Sequence, residues 1–449
     1  MTRLPQPPPS RRAGRPGPAP SADGHGRPSP GPLAGLRVIE LAAIGPGPFA
    51  ALVLADLGAE VLRIDRPVPA APVPDVDPRT DLLKRNRRSA VIDLRHPDAA
   101  DVVLALVEKA DVLLEGYRPG VAERLGIGPG PCTARNPALV YGRVSGWGRD
   151  GPLAGRAGHD IDYLARCGAL HALGRRNARP TVQLNSVGDF GGGGMLLVTG
   201  VLAALCEALR SGRGQVVDAA IMDGATLLTS MTYGFTADDV WNGGRGTDLL
   251  DPGVPWYEVY ETRDGGFMAV GALEDPFYAA LVAGLGLSTG ETDRADPAGW
   301  SALRARFAAV FRTRTRAEWT EVFEHTDACV TPVLTPLEAA SDPHLRARGV
   351  FIDVDGVRQP APVPRFSRTP GTVRRPPPLP GEHTSTVLAD WGVPDVDGLL
   401  ASGAARQRPA GVSTGPPPGS VAAEPPASGL RDRRGGAGAP HDRRDGRWR

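Results

Sequence analysis

Short apolar runs alternate with helical patterns between residues 35 and 147. Residues 36–41 (LRVIEL), 60–65 (EVLRID), 89–94 (SAVIDL), 111–117 (DVLLEGY) and 139–147 (LVYGRVSGW) have the length and composition of buried strands. Residues 48–58 (PFAALVLADLG) read as a helix that Pro48 starts and Gly58 stops, and residues 97–109 read as a second. This rhythm predicts an α/β fold whose parallel sheet is covered on both faces. Ile161, Leu164, Ala165, Ala169 and Ala172 recur at helical spacing and predict a helix over about 160–173. Another apolar helix is expected from about Met195 to Leu209, ending at Ser211-Gly212, and residues 216–250 read as further helix. Residues 256–273 read as a hairpin turning at Asp264-Gly265-Gly266, followed by helices near 274–287 and an Arg-rich amphipathic pair over 301–326. Residues 250–345 therefore form a smaller α+β domain after the α/β body.

The two ends break this pattern. Residues 1–31 and 393–449 are dense in Pro, Gly, Ser and Arg and have no apolar period, so both extensions are expected to stay disordered. A net charge of +1 over 449 residues gives no bulk attraction to nucleic acid. The four cysteines, Cys132, Cys167, Cys206 and Cys329, form no CxxC pair and suggest neither a zinc site nor a disulfide framework. Cys167 and Cys206 fall on apolar helix faces and read as buried thiols. No apolar leader precedes the body, and the run near 195–209 is too short and Gly-flanked to span a bilayer, so a cytoplasmic chain with no membrane span is expected.

Candidate chemistry concentrates between residues 157 and 211. His159 follows Gly158 at the start of one predicted helix, and Asp189 follows Gly188 just before Gly191–Gly194 and the next. A helix N-terminus carries unpaired N–H groups and a partial positive charge. Removing a proton beside a carbonyl needs a base, an acid and donors for the oxygen that becomes negative. This stretch holds all three, although a helix cap and a turn carboxylate are simpler roles for the same residues. The four glycines imply close approach by a ligand or by another helix.

Gly45-Pro46-Gly47-Pro48-Phe49-Ala50 fits GxGxxA, with Asp65 twenty residues on, as in nicotinamide-dinucleotide sites. Pro46 and Pro48 remove N–H groups from the turn that would cradle a pyrophosphate, which favours a plain tight turn. Arginines gather where strands are expected to end: Arg66, the run Lys84–Arg88, Arg95, Arg118 and Arg124. Their forked donors suit phosphate oxygens, and Tyr117 offers a face for a ring, so a nucleotide-like ligand without a P-loop is expected.

The segments PLAGLRVIELA, LADLGAEVLRIDRP, VLLEGYRPGVAERLGIGP, GRVSGWGRDGPLAGRAGHDIDY, VGDFGGGGM and GQVVDAAIMDG resemble the family III CoA-transferases, and within them the α-methylacyl-CoA racemase branch. The resemblance covers about residues 32–392. It implies a Rossmann-like large domain (32–225 plus a returning 355–392), a linker helix (226–249), a small domain (250–345) and an interlocked homodimer. Family transferases read GYD where this chain has Gly158-His159-Asp160, and they use the Asp matching Asp189 as a nucleophile that becomes acylated. The racemases carry His at that place, which implies epimerisation of 2-methylacyl-CoA by two bases, His159 and Asp189, with Glu274 orienting the imidazole. The same resemblance implies CoA contacts at Arg66, Ile92, Asp93, Leu94, Arg95, Gly116, Tyr117, Arg118 and Arg124, and thioester contacts at Gly158, Asp160, Ile161, Asp162 and Tyr163. CoA belongs to the substrate, so no metal or other cofactor is expected. CoA transfer through Asp189 is the alternative activity.

Overall fold

A computed structural model describes residues 31–68, 77–241, 243–288, 290 and 292–409. The five apolar runs become β1 (Arg37–Leu41), β2 (Glu60–Asp65), β3 (Arg87–Ile92), β4 (Val112–Glu115) and β5 (Val140–Ser145). With β6 (Val216–Ala220) they run parallel in the order β3-β2-β1-β4-β5-β6. This is a doubly wound order that reverses direction between β1 and β4. Alternate strand residues feed two buried faces. Ile39, Leu41, Leu62, Ile64 and Leu113 pack under the helices Ala99–Val107 and Thr384–Asp390. Val38, Val61, Val112, Leu114, Val140 and Val144 pack under Pro46–Asp56 and Leu196–Ser211. Burial on both faces is why these strands read as apolar runs rather than as alternating ones.

The predicted hairpin forms as β7 (Tyr257–Glu261) and β8 (Phe267–Gly271), with Gly265 at φ +77° in the turn, and β9 (Val330–Pro332) extends it to three strands. Their core of Trp256, Tyr260, Met268, Phe307, Phe311, Trp319 and Phe323 is separate from that of the large sheet. A second hairpin follows, β10 (Phe351–Val354) with β11 (Val357–Pro360). Beyond it the chain returns to the large sheet, where the helix Thr384–Asp390 packs.

Four expectations need correction. Residues 216–220 are an edge strand, not helix; their burial is shallow, and the helix begins at Ile221 (Ile221–Leu228). The extension predicted from residue 393 begins too early. Asp395 caps a helix, Val396–Ser402, by accepting the Gly398 N–H at 3.1 Å, and β12 (Ala405–Arg406) then pairs antiparallel with β3. Residues 410–449 of that extension, and residues 1–30, lie outside the described residues. Cys206 is exposed rather than buried, while Cys132 and Cys167 are buried. Finally, the apolar helix starts earlier than Met195: Ser186–Ser211 is a continuous 26-residue run, long and apolar enough to cross a membrane by length and composition. Its Leu197, Val201 and Ala204 are buried against the sheet, as in the core helix of an α/β domain.

Candidate active site

The loops that leave β1, β4 and β5 open onto one cavity of about 470 Å³. Ile44–Pro46 follow β1, Gly116–Pro119 follow β4, and Gly146 and Trp147 follow β5. The cavity therefore sits at the carboxyl edge of the sheet, where the strand order reverses and ligands of open α/β sheets bind.

His159 enters it as the N-cap of the helix Asp160–Arg166, in extended conformation (φ −128°, ψ 173°). The Asp162 carboxylate accepts the His159 backbone N–H at 2.9 Å, which fixes the entry to the helix while the His159 side chain stays exposed to the cavity. Tyr163 donates its hydroxyl to the Gly158 carbonyl at 2.5 Å and packs edge-on against Trp147. The helix predicted over 160–173 breaks at Gly168, whose φ is +83°, and resumes over Ala169–Ala172.

Asp189 enters from the opposite element. It lies within a wide π-helical turn, Ser186–Met195, that runs straight into Leu196–Ser211. Such turns recur at functional sites. The glycine run answers the question it posed. A Cβ on Gly192 would stand 2.7 Å from the Ala225 nitrogen, and one on Gly194 would stand 2.6 Å from the Phe49 ring. A Cβ on Gly193 would press on Ile221 and Pro46 at 2.9 Å. The glycines thus admit two neighbouring helices, Pro46–Asp56 and Ile221–Leu228, and they seat Asp189 between them.

Asp189 is held through both its carboxylate and its backbone. Asn185 donates its side-chain amide to it at 3.2 Å, and the Asp189 backbone N–H donates to the Asp160 carboxylate at 2.7 Å. Burial raises the Asp189 acid above its ordinary value, and the Asp160 charge adds to this, against the Asn185 hydrogen bond and the His159 charge. Asp160 is also raised, by burial, against the N–H groups of Asp189 and Gly188 that it accepts. Gly45, at φ +69°, is part of this seat: a Cβ there would lie 3.0 Å from Asp189 Oδ2. Gly45 of the GxGxxA turn is required because a carboxylate packs on it, whereas a Cβ on Gly47 would meet only Ala43 and Val144 at 3.8 Å. Asp65, the acid that would complete a dinucleotide fingerprint, is already taken by Arg63 at 2.8 Å and by the Ser89 hydroxyl at 2.7 Å.

Of the candidate residues, His159, Asp189, Gly116, Tyr117, Arg118, Gly158, Asp160 and Tyr163 line this single cavity. The turn at Gly116–Arg118 is braced from beneath. Glu115 accepts the Tyr117 N–H at 2.6 Å and the Arg143 guanidinium at 2.9 Å. Arg66 stands 5.8 Å over the Tyr117 ring, just past the end of β2, and Arg95 is exposed just past β3. Arg124 is exposed at the end of a helical turn after β4. These follow the same edge of the sheet away from the cavity.

Other candidates lie elsewhere. Ile92 is 1 % exposed, in the core, and faces Ala405 of β12, so its side chain meets no ligand. Leu94 packs on that core, and Asp93 accepts the Arg95 N–H at 3.1 Å. Ile161 and Asp162 are exposed on the helix but do not line the cavity. Glu274 is the exposed N-cap of the helix Asp275–Gly284 in the small domain, while every lining residue found falls between Ile44 and Ile221. The run Lys84–Arg88 enters β3 at its amino end, the opposite edge from the cavity. Arg85 is buried on Asp56, Arg87 pairs with Glu40 at 2.8 Å, and Arg88 pairs with Glu60 and Asp390. These arginines are structural, because buried charge is tolerated only when paired. Asn185, Trp147 and Arg156 also line the cavity and were not among the candidates, and Gly45, read above as part of a tight turn, lines it too. The four-residue spacing of Asn185 and Asp189 was the available signal.

The model of CoA-transferase family III matches residues 33–384. The α-methylacyl-CoA racemase of Mus musculus is 44 % identical over 364 residues, covering 80 % of this chain and 93 % of its own, and that of Homo sapiens is 42 % identical over 366 residues at the same coverage. The succinyl-CoA–D-citramalate CoA-transferase of Chloroflexus aurantiacus is 32 % identical over 80 % of this chain and 94 % of its own. Among solved structures, a CAIB/BAIF family protein from Brucella suis superposes with a TM-score of 0.68 at 26 % identity, covering 80 % of this chain and 99 % of its own. The chain belongs to CoA-transferase family III.

Proposed function

We propose that this chain epimerises 2-methylacyl-CoA thioesters at the α carbon. The observation that carries the reading is one cavity lined by both His159 and Asp189, on separate elements, with burial raising the Asp189 acid above its ordinary value. His159 takes the α proton from one face of the carbon and leaves an enolate. Protonated Asp189 returns a proton to the other face, and the reverse reaction exchanges these roles. The enolate oxygen is received by the N–H at the start of the Asp160 helix, and losing such a donor costs on the order of 3 kcal/mol in the transition state. The proton removed from one face is replaced from the other with no change in oxidation, so the reaction needs no redox cofactor. Identity of 42–44 % to racemases, against 32 % to a CoA-transferase, supports this assignment.

The substrate's nucleotide end runs from the cavity along the carboxyl edge, past Arg118 and the stacked Arg66, toward Arg95, with Arg124 nearby. Among the described residues, the cavity takes none from the small domain of its own chain, and Glu274 belongs to that domain. A homodimer in which a second copy brings Glu274 against His159 reconciles these facts. Incubation with (R)- and (S)-2-methylacyl-CoA in deuterium oxide tests the activity. Deuterium at the α carbon from both enantiomers supports it, and its absence from either overturns it. The same carboxylate, Asp189, favours one second reading, CoA transfer through an acylated aspartate. An acyl adduct on the Asp189 peptide, found by mass spectrometry, would establish that reading instead.

A further inference from the structure

We propose that Asp160 is a positioning residue that ties the two bases together. It follows His159 directly in the chain, and its carboxylate accepts the backbone N–H of Asp189 at 2.7 Å and that of Gly188. One side chain thus joins the start of the helix that carries the imidazole to the π-helical turn that carries the acid. Gly188 is built for this tie, since a Cβ there would overlap Asp160 Oδ1. The peptide between the two elements includes an exposed stretch, residues 175–186, so the tie adds a polar link to the packing of Val187 with Leu164, Cys167 and Ala225.

The tie has an electrostatic side. The groups that face Asp189 are Asn185 on its own turn, Asp160 and Tyr163 on the opposing helix, and His159 at that helix's start. Gly45, Pro46 and Phe49 come from the third element and carry no charge. Asp160 is therefore the anionic neighbour that works with burial to hold the Asp189 proton, while the two N–H groups it accepts favour its own ionised form. A carboxylate in this place sets both the position and the proton affinity of Asp189.

This inference rests on the racemase reading, and two variants with two readouts separate them. Asp160→Asn keeps an acceptor oxygen but removes the charge. The Asp189 limb of the pH profile for α-deuterium exchange is expected to move to lower pH by roughly half a unit or more in both substrate directions, with the His159 limb in place. Asp160→Ala removes the acceptor as well. Its kcat is expected to fall about tenfold to a hundredfold with KM little changed. Its 186–195 peptide is expected to exchange amide hydrogens faster than in wild type or Asp160→Asn. A merely structural Asp160 would lower stability without moving the pH limb. A superimposable pH profile for Asp160→Asn, or unchanged amide exchange in that peptide for Asp160→Ala, overturns the proposal. If the wild type exchanges no α-deuterium, the racemase reading falls, and the tie is still decided by amide exchange.

Discussion

If the two ionisable side chains on the cavity do the chemistry while the arginines along the sheet edge bind the nucleotide end, single substitutions separate the two tasks. His159→Ala and Asp189→Ala are each expected to lower α-proton exchange by about 10²–10⁴-fold, the usual worth of a positioned acid or base. CoA affinity, measured by calorimetry, should survive in both, because the arginines along the sheet edge are untouched. Equal loss of CoA binding would contradict that division. Asp189 also carries a stability consequence whose sign follows from its raised proton affinity. A group that binds its proton more tightly in the folded chain contributes stability below its unfolded value, and that contribution is lost as pH rises through the folded one. Asp189→Asn is therefore expected to melt at a higher temperature than wild type at neutral pH, with the gap closing as the solution is acidified. A gap that widens on acidification would refute the assignment. His159 and Asp189 were legible in sequence because each follows a glycine at the start of a helix. Asn185 could have been read from its four-residue spacing to Asp189, whereas Gly45 stood out only as part of a tight turn, because its contact with Asp189 is made across a fold not yet formed.

The elements that seat these residues are specified by glycine and by paired charge, and the two were unequally legible. Strand and helix alternation announced the sheet, since strands buried on both faces must be apolar throughout. Strand β6 escaped because a shallow edge strand of five residues has no such run. The arginines at the entrance to β3 misled for a different reason. Spacing shows where an arginine stands in the chain, not that Glu40 or Asp56 waits opposite it. The glycine run, by contrast, posed a question that only packing answers. It allows the π-helical turn to approach the helix Ile221–Leu228 so closely that Gly192 and Gly224 meet backbone to backbone. Gly192→Ala is expected to destabilise the chain by about 1–3 kcal/mol, as overpacking of a filled core does. It should also depress kcat, because Asp189 rides on the displaced turn. A variant with wild-type melting temperature and turnover would mean that the turn is free to relax.

At the scale of the whole molecule the cavity is well formed yet one-sided: among the described residues its walls come from the large domain alone, between Ile44 and Ile221. The small domain has its own aromatic core and carries Glu274 exposed at a helix start. Sequence resemblance implied that Glu274 meets the imidazole, but a linear chain gives no hint of which copy supplies it. If a second copy does, a dimer has two sites, each built from His159 of one chain and Glu274 of the other. Such a pair is an isologous arrangement, so lesions in different chains combine in a predictable way. Chains carrying His159→Ala alone, or Glu274→Ala alone, form homodimers in which both sites are damaged. Coexpressed, they form mixed dimers in which one site holds both lesions and the other holds neither. With random pairing half of the dimers are mixed and each has one intact site, so activity of about a quarter of wild type is expected. Differently tagged chains purified over two columns should raise this to about half. If His159 and Glu274 instead act within one chain, every site in every dimer keeps one lesion and mixing restores nothing. The ratio of activity in the doubly purified dimer to that in the two homodimers therefore decides where the orienting carboxylate comes from.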